Sequence, residues 1–282
     1  MALSILNNIP SLVAQNQLNL TQANLQSTLT QLSSGSRINT GADDAAGLAI
    51  ANGLQANVTA LTQSVANAND GVGALQVADG ALGQVTSLLN RAVTLATEAS
   101  TGTVSSSQRS SLDAEYQQIL QQINSIGSNT TFNGTTIFAA AGTTTTSVFL
   151  SDSTSAGTLT IGVNVSALST TALAVNGTSL TGSPGAGGVT DPEATLALIN
   201  TAIGTVAQDR GTIGAGINRL QAVTNVSNTE IQNLTAAENQ ITAADIPTVV
   251  SNLSKFSILE RTGISALAQA NSAQQQVLNL LQ

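Results

Sequence analysis

The sequence predicts a mainly α fold: a bundle of long helices packed as a coiled coil, with a small β-hairpin region in the middle. Three observations carry that expectation. Apolar residues recur at alternating spacings of four and three through long stretches of both halves. Residues 129–190 lose that period and turn rich in Gly, Thr, Ser and short β-branched runs. Asp191-Pro192-Glu193 then supplies a helix start, with Asp191 at the cap and Pro192 at the first helical position.

The N-terminal segment carries a short stripe, Leu18, Leu25, Leu29 and Leu32. Gly35 is placed to end that helix in the left-handed conformation. A connector follows, from Ser34 to Ile50. Its Arg37 is the first cation in the chain, and the next is Arg91. Arg37 is expected to anchor the connector to an acidic neighbour. Asp43 and Asp44 fall where the next helix begins, near the positive end of its dipole. Adjacent acids at a helix start read as caps rather than as a metal or acid–base pair.

The longest stripe runs Leu54, Val58, Leu61, Val65, Ala68, Val72, Leu75, Leu82, Leu89, Val93, with apparent breaks at Asp79 and Thr86. A second runs Leu112, Tyr116, Ile119, Ile123, Ile126. In the middle, strands are expected at Thr135–Phe138, Ser147–Leu150, Thr158–Val165 and Ala172–Val175. Asn133-Gly134 and Asn176-Gly177 are the turns, and 183–188 is a loop. A third stripe takes in Leu196, Ile199, Ile203, Val206, Ile213, Ile217, Leu220, Ile231, Leu234 and Ile241. Arg210, Thr224, Ser227 and Glu238 interrupt it. Pro247 marks a break, and the last stripe holds Leu253, Phe256, Ile264, Leu267, Val277 and Leu281.

Composition narrows the function. The chain has 282 residues with no Cys and no His. That removes His-based triads, thiol nucleophiles and the usual zinc sites. Lys255 beside Ser254 and Ser257 reads as a solvated cation, not a Ser–Lys dyad. No enzyme activity, metal or cofactor is expected. Seven Lys plus Arg against fifteen Asp plus Glu argues against nucleic acid. No apolar run is long enough for a membrane span, and the opening MALSILNNIP lacks the basic start of a cleaved signal peptide. Residues 1–36 and 262–282 carry no charged side chain at all. Apolar-striped, chargeless ends look built to pack against other copies.

The connector and its flanks carry a resemblance. SGSRINTGADDAAGLAIANGLQANV is similar to the N-terminal signature of bacterial flagellins. The likeness continues through ANDGVGALQVADGALGQVTSLLNRAVTLATEAS and NTTFNGTTIF. It resumes with INRLQAVTNVSNTEIQNLTAAENQITAADI, SKFSILERTGISALAQAN and VLNLLQ. About residues 1–180 and 195–282 are covered, in the family's order. Departures are Ala42, where relatives have a basic residue, and 241–247, which lacks the family's Arg and extra acids.

The resemblance implies a structural subunit that self-assembles into the flagellar filament for motility. The chain ends then pair as helices of an inner tube, residues 1–45 and 245–282. Residues 46–244 form a second-layer bundle, with hairpins at about 130–190 and no large outer domain. It implies many copies of the chain itself as partners, with flagellar cap and hook-junction proteins and an export chaperone. It also implies an extracellular location reached without a cleaved signal peptide. The expected self-assembly residues are Leu18, Leu25, Leu29, Leu32, Arg37, Asp43, Asp44, Leu253, Phe256, Leu267, Val277 and Leu281. A host flagellin receptor, if one binds, would meet Leu89, Asn90, Arg91 and Leu95, with Gln118 at a family acidic position. The terminal segments are expected to order only in the polymer. Two other readings are a hook–filament junction protein and a secreted coiled-coil adhesin that forms no filament.

Overall fold

A computed structural model describes residues 8–138, 142–151 and 158–280. Five helices are described: α1 (Ile9–Ser34), α2 (Ala45–Ala99), α3 (Ser106–Asn129), α4 (Pro192–Thr242) and α5 (Ile246–Leu280). Strands β1 (Thr131–Phe132), β2 (Thr135–Thr136), β3 (Thr143–Ser151) and β4 (Thr158–Ser166) lie between α3 and α4. The chain forms two compact units, one of residues 1–56 and 233–282 and one of residues 57–232.

In the first unit α1 starts at Asn8, whose side chain accepts from the Ser11 amide at 3.0 Å. Pro10 lies in the first turn, where its missing N–H costs nothing. Gly35 ends the helix at φ 68, as expected, and its amide donates to Gln31 O. α1 packs antiparallel on α5. Asn8 Nδ2 donates to Ala270 O at 3.2 Å, Ser11 Oγ to Asn271 Oδ1 at 2.9 Å, and Leu18 faces Gly263. The inward positions of α1 are Ser11, Ala14, Leu18, Thr21, Leu25, Thr28 and Leu32, a strict three–four alternation. Thr21 and Thr28 are buried there because each hydroxyl donates back to its own helix, to Gln17 O and Asn24 O. Leu29, expected on this stripe, is 47% exposed on another face. The matching stripe of α5 is Val249, Leu253, Phe256, Glu260, Gly263, Leu267 and Ala270.

The second unit holds the main core. The buried stripe of α2 is Leu61, Ser64, Ala68, Gly71, Leu75, Ala78, Leu82, Val85, Leu89, Ala92, Ala96 and Ala99. That corrects the stripe read from the sequence. Its large members Leu61, Leu75, Leu82 and Leu89 are buried as expected, but Val58, Val65, Val72 and Val93 are only half-buried. The alternate inward places go to small residues instead, and Asp79 and Thr86 lie beside the stripe without breaking it. α4 behaves alike. Ile199, Val206, Ile213 and Leu220 are buried together with Thr195, Ala202, Gly216 and Ser227, while Ile203 and Ile217 flank them. Ser227 thus belongs to the stripe it was expected to interrupt.

The small residues make room for a sheet. β3 and β4 pair antiparallel from Thr143↔Ser166 to Ser151↔Thr158. Val148, Leu150, Ile161, Val163 and Val165 are buried, while Phe149 points to solvent, as a two-residue strand period requires. A Cβ on Gly216 would lie 2.7 Å from Val163 Cγ2, so this helix face must be bare for the strand to approach. Ser64 on α2 ties the end of β3 by exchanging hydrogen bonds with Ser151 N and O, both at 2.8 Å.

β1 and β2 form a tight hairpin, Thr131↔Thr136 and Phe132↔Thr135. Asn133 at φ 49 and Gly134 at φ 76 give the two positive angles of a type I′ turn. The strand expected at Thr135–Phe138 stops at Thr136, and Ile137 and Phe138 enter the core. Ala172–Val175 is no strand. It is a turn with Ala174 at φ 56, and the Val175 amide donates to Thr170 O at 2.9 Å. Among the described residues no strand pairs with it; the Asn124 side chain binds Thr170 instead, accepting from its amide at 2.9 Å. Thr178 and Leu180, at the start of the segment that leads to α4, are pinned to α3. Tyr116 and Thr178 share a buried hydroxyl contact, Gln117 Nε2 donates to Thr178 O at 2.8 Å, and the Leu180 amide donates to Asp113 Oδ1 at 2.8 Å.

Candidate assembly interface

The connector between α1 and α2 caps the end of α4. A helix C-terminus leaves its last carbonyls without intrahelical partners and with partial negative charge. Here the Arg37 amide donates to Thr242 O at 2.7 Å, Ser36 Oγ to the same oxygen at 2.9 Å, and Arg37 Nη2 to Ile241 O at 2.7 Å. The Ala244 amide returns a bond to Gly35 O at 3.0 Å. Arg37 therefore does anchor the connector, but to helix-end carbonyls and not to an acidic neighbour. Main-chain carbonyls carry no residue-type signal, so the sequence pointed to the wrong partner class.

Of the two acids expected to cap α2, Asp44 does so, while Asp43 closes the turn before it. Asp43 Oδ2 accepts from the amides of Asn39 and Thr40 at 3.1 and 2.8 Å and from the Thr40 hydroxyl at 3.0 Å. The Thr40 amide bond, the largest cause, and those of the Asn39 amide and Thr40 hydroxyl hold its carboxyl below the usual carboxylate range. Asp44 Oδ1 accepts from the Gly47 amide at 2.8 Å and so caps α2.

The remaining assembly residues divide by face. Leu18, Leu25, Leu32, Leu253, Phe256 and Leu267 are half-buried on the stripes that pair α1 with α5. Leu29 alone of the named α1 leucines points outward. Leu281 lies outside the described residues, as does the side chain of Val277. The sequence reading missed the outward apolar residues Ile9, Leu12, Val13 and Leu20 of α1 and Val250, Ile258 and Leu259 of α5. Their signal was available as apolar residues off the heptad stripe, those of α1 in a chargeless segment and those of α5 in a stretch whose charges are Lys255, Glu260 and Arg261.

The receptor-contact set needs a correction. Leu89 and Leu95 are 0% and 1% exposed, inside the core of the second unit, so no partner can touch them on this folded surface. Asn90 and Arg91 are exposed. Arg91 Nε donates to Glu115 Oε1 at 2.7 Å, a pairing that holds the Glu115 carboxyl below its usual range. Gln118 is exposed on α3.

The family model described as the bacterial flagellin N-terminal helical region matches residues 5–143, and that of the C-terminal helical region matches residues 196–281. The chain belongs to the bacterial flagellin family. As a flagellin it is a structural subunit of the flagellar filament, and the junction-protein and adhesin readings are not favoured. It is 31% identical over 289 residues to the flagellar filament 33 kDa core protein of Treponema phagedenis, covering 97% of this chain and 98% of that one. With the flagellin of Halalkalibacterium halodurans it shares 32% over 279 residues, again 97% and 98%. The flagellin of Shigella flexneri is 36% identical over 222 residues, and the match spans only 39% of that longer protein. The crystal structure of Bacillus cereus flagellin matches at 29% identity and TM-score 0.46, covering 61% of this chain and 94% of that one. Among the described residues no helix is long and apolar enough to cross a membrane.

Proposed function

We propose that copies of this flagellin assemble through the outward faces of the paired helices α1 and α5. One observation carries the reading. Among the described residues, every exposed large hydrophobic except Val77, Phe149, Val189 and Val226 belongs to the unit of residues 1–56 and 233–282. Burying such a side chain contributes about 1.5–3 kcal/mol. α1 has no charged residue and α5 only Lys255, Glu260 and Arg261, so little ion desolvation opposes that gain. Residues 1–45 and 245–282 make the inner tube of the polymer, and 46–244 its second layer.

On this reading Leu18, Leu25, Leu32, Leu253, Phe256 and Leu267 act one step back, by holding α1 on α5. Arg37, Asp43 and Asp44 fix the connector so that the pair projects at a constant angle from its own loop. The same chargeless ends meet the cap and hook-junction proteins and an export chaperone. A host receptor could use only Asn90 and Arg91 of its expected set. The test is electron microscopy of concentrated Leu20→Asp and Ile258→Asp protein. Circular dichroism at the native level with no filaments is the expected outcome. Normal filaments from both variants would overturn the assignment.

A further inference from the structure

We infer that Asn133 and Asn176 are sites of spontaneous deamidation, while Asn52 is protected by the fold. The sequence holds three Asn-Gly pairs: Asn52-Gly53, Asn133-Gly134 and Asn176-Gly177. All three asparagines are exposed, so exposure does not separate them. The backbone does. Deamidation starts when the amide nitrogen of the following residue, having lost its proton to solvent base, attacks the asparagine Cγ. The Cγ–Nδ2 bond breaks, ammonia leaves, and a five-membered succinimide closes. Water then opens the ring. Cleavage at Cγ gives aspartate, and cleavage at the main-chain carbonyl gives isoaspartate. The net change is one water consumed and one ammonia released, with no oxidant or reductant.

That attack needs a free amide nitrogen, a mobile carboxamide and no side chain in the way. Asn133 and Gly134 form the two-residue tip of the β1–β2 hairpin, at φ 49 and 76. Gly177 stands at φ 73 in the loop after Val175. A Cβ on Gly134 or Gly177 would meet nothing within 4 Å, and among the described residues neither asparagine carboxamide has a hydrogen-bond partner. Asn52 sits instead inside α2, a helix from Ala45 to Ala99. There each amide donates to the carbonyl four residues back. The nitrogen of Gly53 is committed, and the helix must open locally before it can attack.

Conversion has a structural consequence at Asn133. Isoaspartate adds a carbon to the main chain within a turn of two residues, and that lengthening disturbs the Phe132↔Thr135 pairing. Either product adds a negative charge to a chain whose net charge is -8.

The experiment incubates purified full-length protein at mildly alkaline pH, in buffer and in concentrated urea. Peptide mass mapping follows each site, and an isoaspartyl-specific methyltransferase identifies the isomer. In buffer Asn133 and Asn176 are expected to convert faster than Asn52 by on the order of tenfold or more. In urea the three are expected to converge. Equal conversion of Asn52 in the folded protein would overturn the inference. So would Asn133 and Asn176 staying intact in buffer while they convert in urea.

Discussion

A Cβ placed on Gly71 of α2 would lie 2.5 Å from Cγ2 of Val148 on β3. The sheet therefore approaches the helix more closely than any side chain allows. Gly71→Ala is expected to destabilise the protein by roughly 1–3 kcal/mol, the usual cost of overpacking a filled core. Gly216→Ala, facing Val163, is expected to act the same way. Gly80 is in the same helix with open space at its Cβ position, so Gly80→Ala is expected to be stabilising by about 0.5–1 kcal/mol. Urea unfolding of the three variants checks the ordering.

These glycines mark the limit of what the sequence could show. Leu61, Leu75, Leu82 and Leu89 were legible as a stripe because each is large and apolar wherever it sits. Ser64, Gly71, Ala78 and Ala92 share the inward face and were not, because a small residue earns its place only from what lies opposite. For Gly71 that is Val148, far away in sequence, and pairing across such distance leaves no period. Gly35, Asp44 and Asp191 were legible as helix ends because caps depend on neighbours within a few residues. Arg37 was legible as an anchor, but its carbonyl partners on Ile241 and Thr242 were not.

Arg37→Ala is expected to loosen the join between α4 and α5. Its guanidinium bond to Ile241 O is lost, while the main-chain bond to Thr242 O can remain. Faster amide exchange confined to about residues 241–250 is the expected signature, with the second unit unchanged. Arg37→Lys keeps the charge near the helix end and is expected to recover part of the protection. Exchange spreading through α2 and α3 instead would mean that Arg37 does more than cap.

Acid is expected to release the loop before α4. The Asp191 carboxylate accepts from the Gly187 amide at 2.7 Å, from Glu193 at 3.0 Å and from Gly185 at 3.4 Å. The Gly187 bond is the largest cause holding its carboxyl below the ordinary value. A lowered folded-state value means the stabilisation is fully present above the unfolded carboxyl value, about 4. It is lost as pH falls through the lower folded value. Asp43 and Glu115 are shifted in the same direction, so acid removes their contributions as well. Asp191→Asn is expected to lower stability at neutral pH and to flatten the acid limb of a stability–pH curve. An unchanged acid limb would show that Asp191 is not the group released.

The helix pair α1–α5 is expected to be marginal in the free subunit and firm in the polymer. Within α1 the only buried residues are Thr21 and Thr28. Each satisfies its hydroxyl within its own helix, so neither adds a bond to α5. The leucines of that stripe are only half-buried. By contrast Leu75, Leu82 and Leu89 of α2 are at 0–1% exposure. Ordering a residue costs ~1–2 kcal/mol in conformational entropy, and a helix draws most of its stability from the face it buries. A half-covered stripe offsets that cost poorly. Neighbouring copies would cover Leu12, Leu20, Ile258 and their like, adding roughly 25 cal/mol for each Å² removed from water. Hydrogen exchange on monomer and filament measures the difference. Residues 10–32 are expected to exchange quickly in the monomer and slowly in the filament, while residues 61–99 stay protected in both. Slow exchange of residues 10–32 in the monomer would show that α5 alone suffices to hold α1.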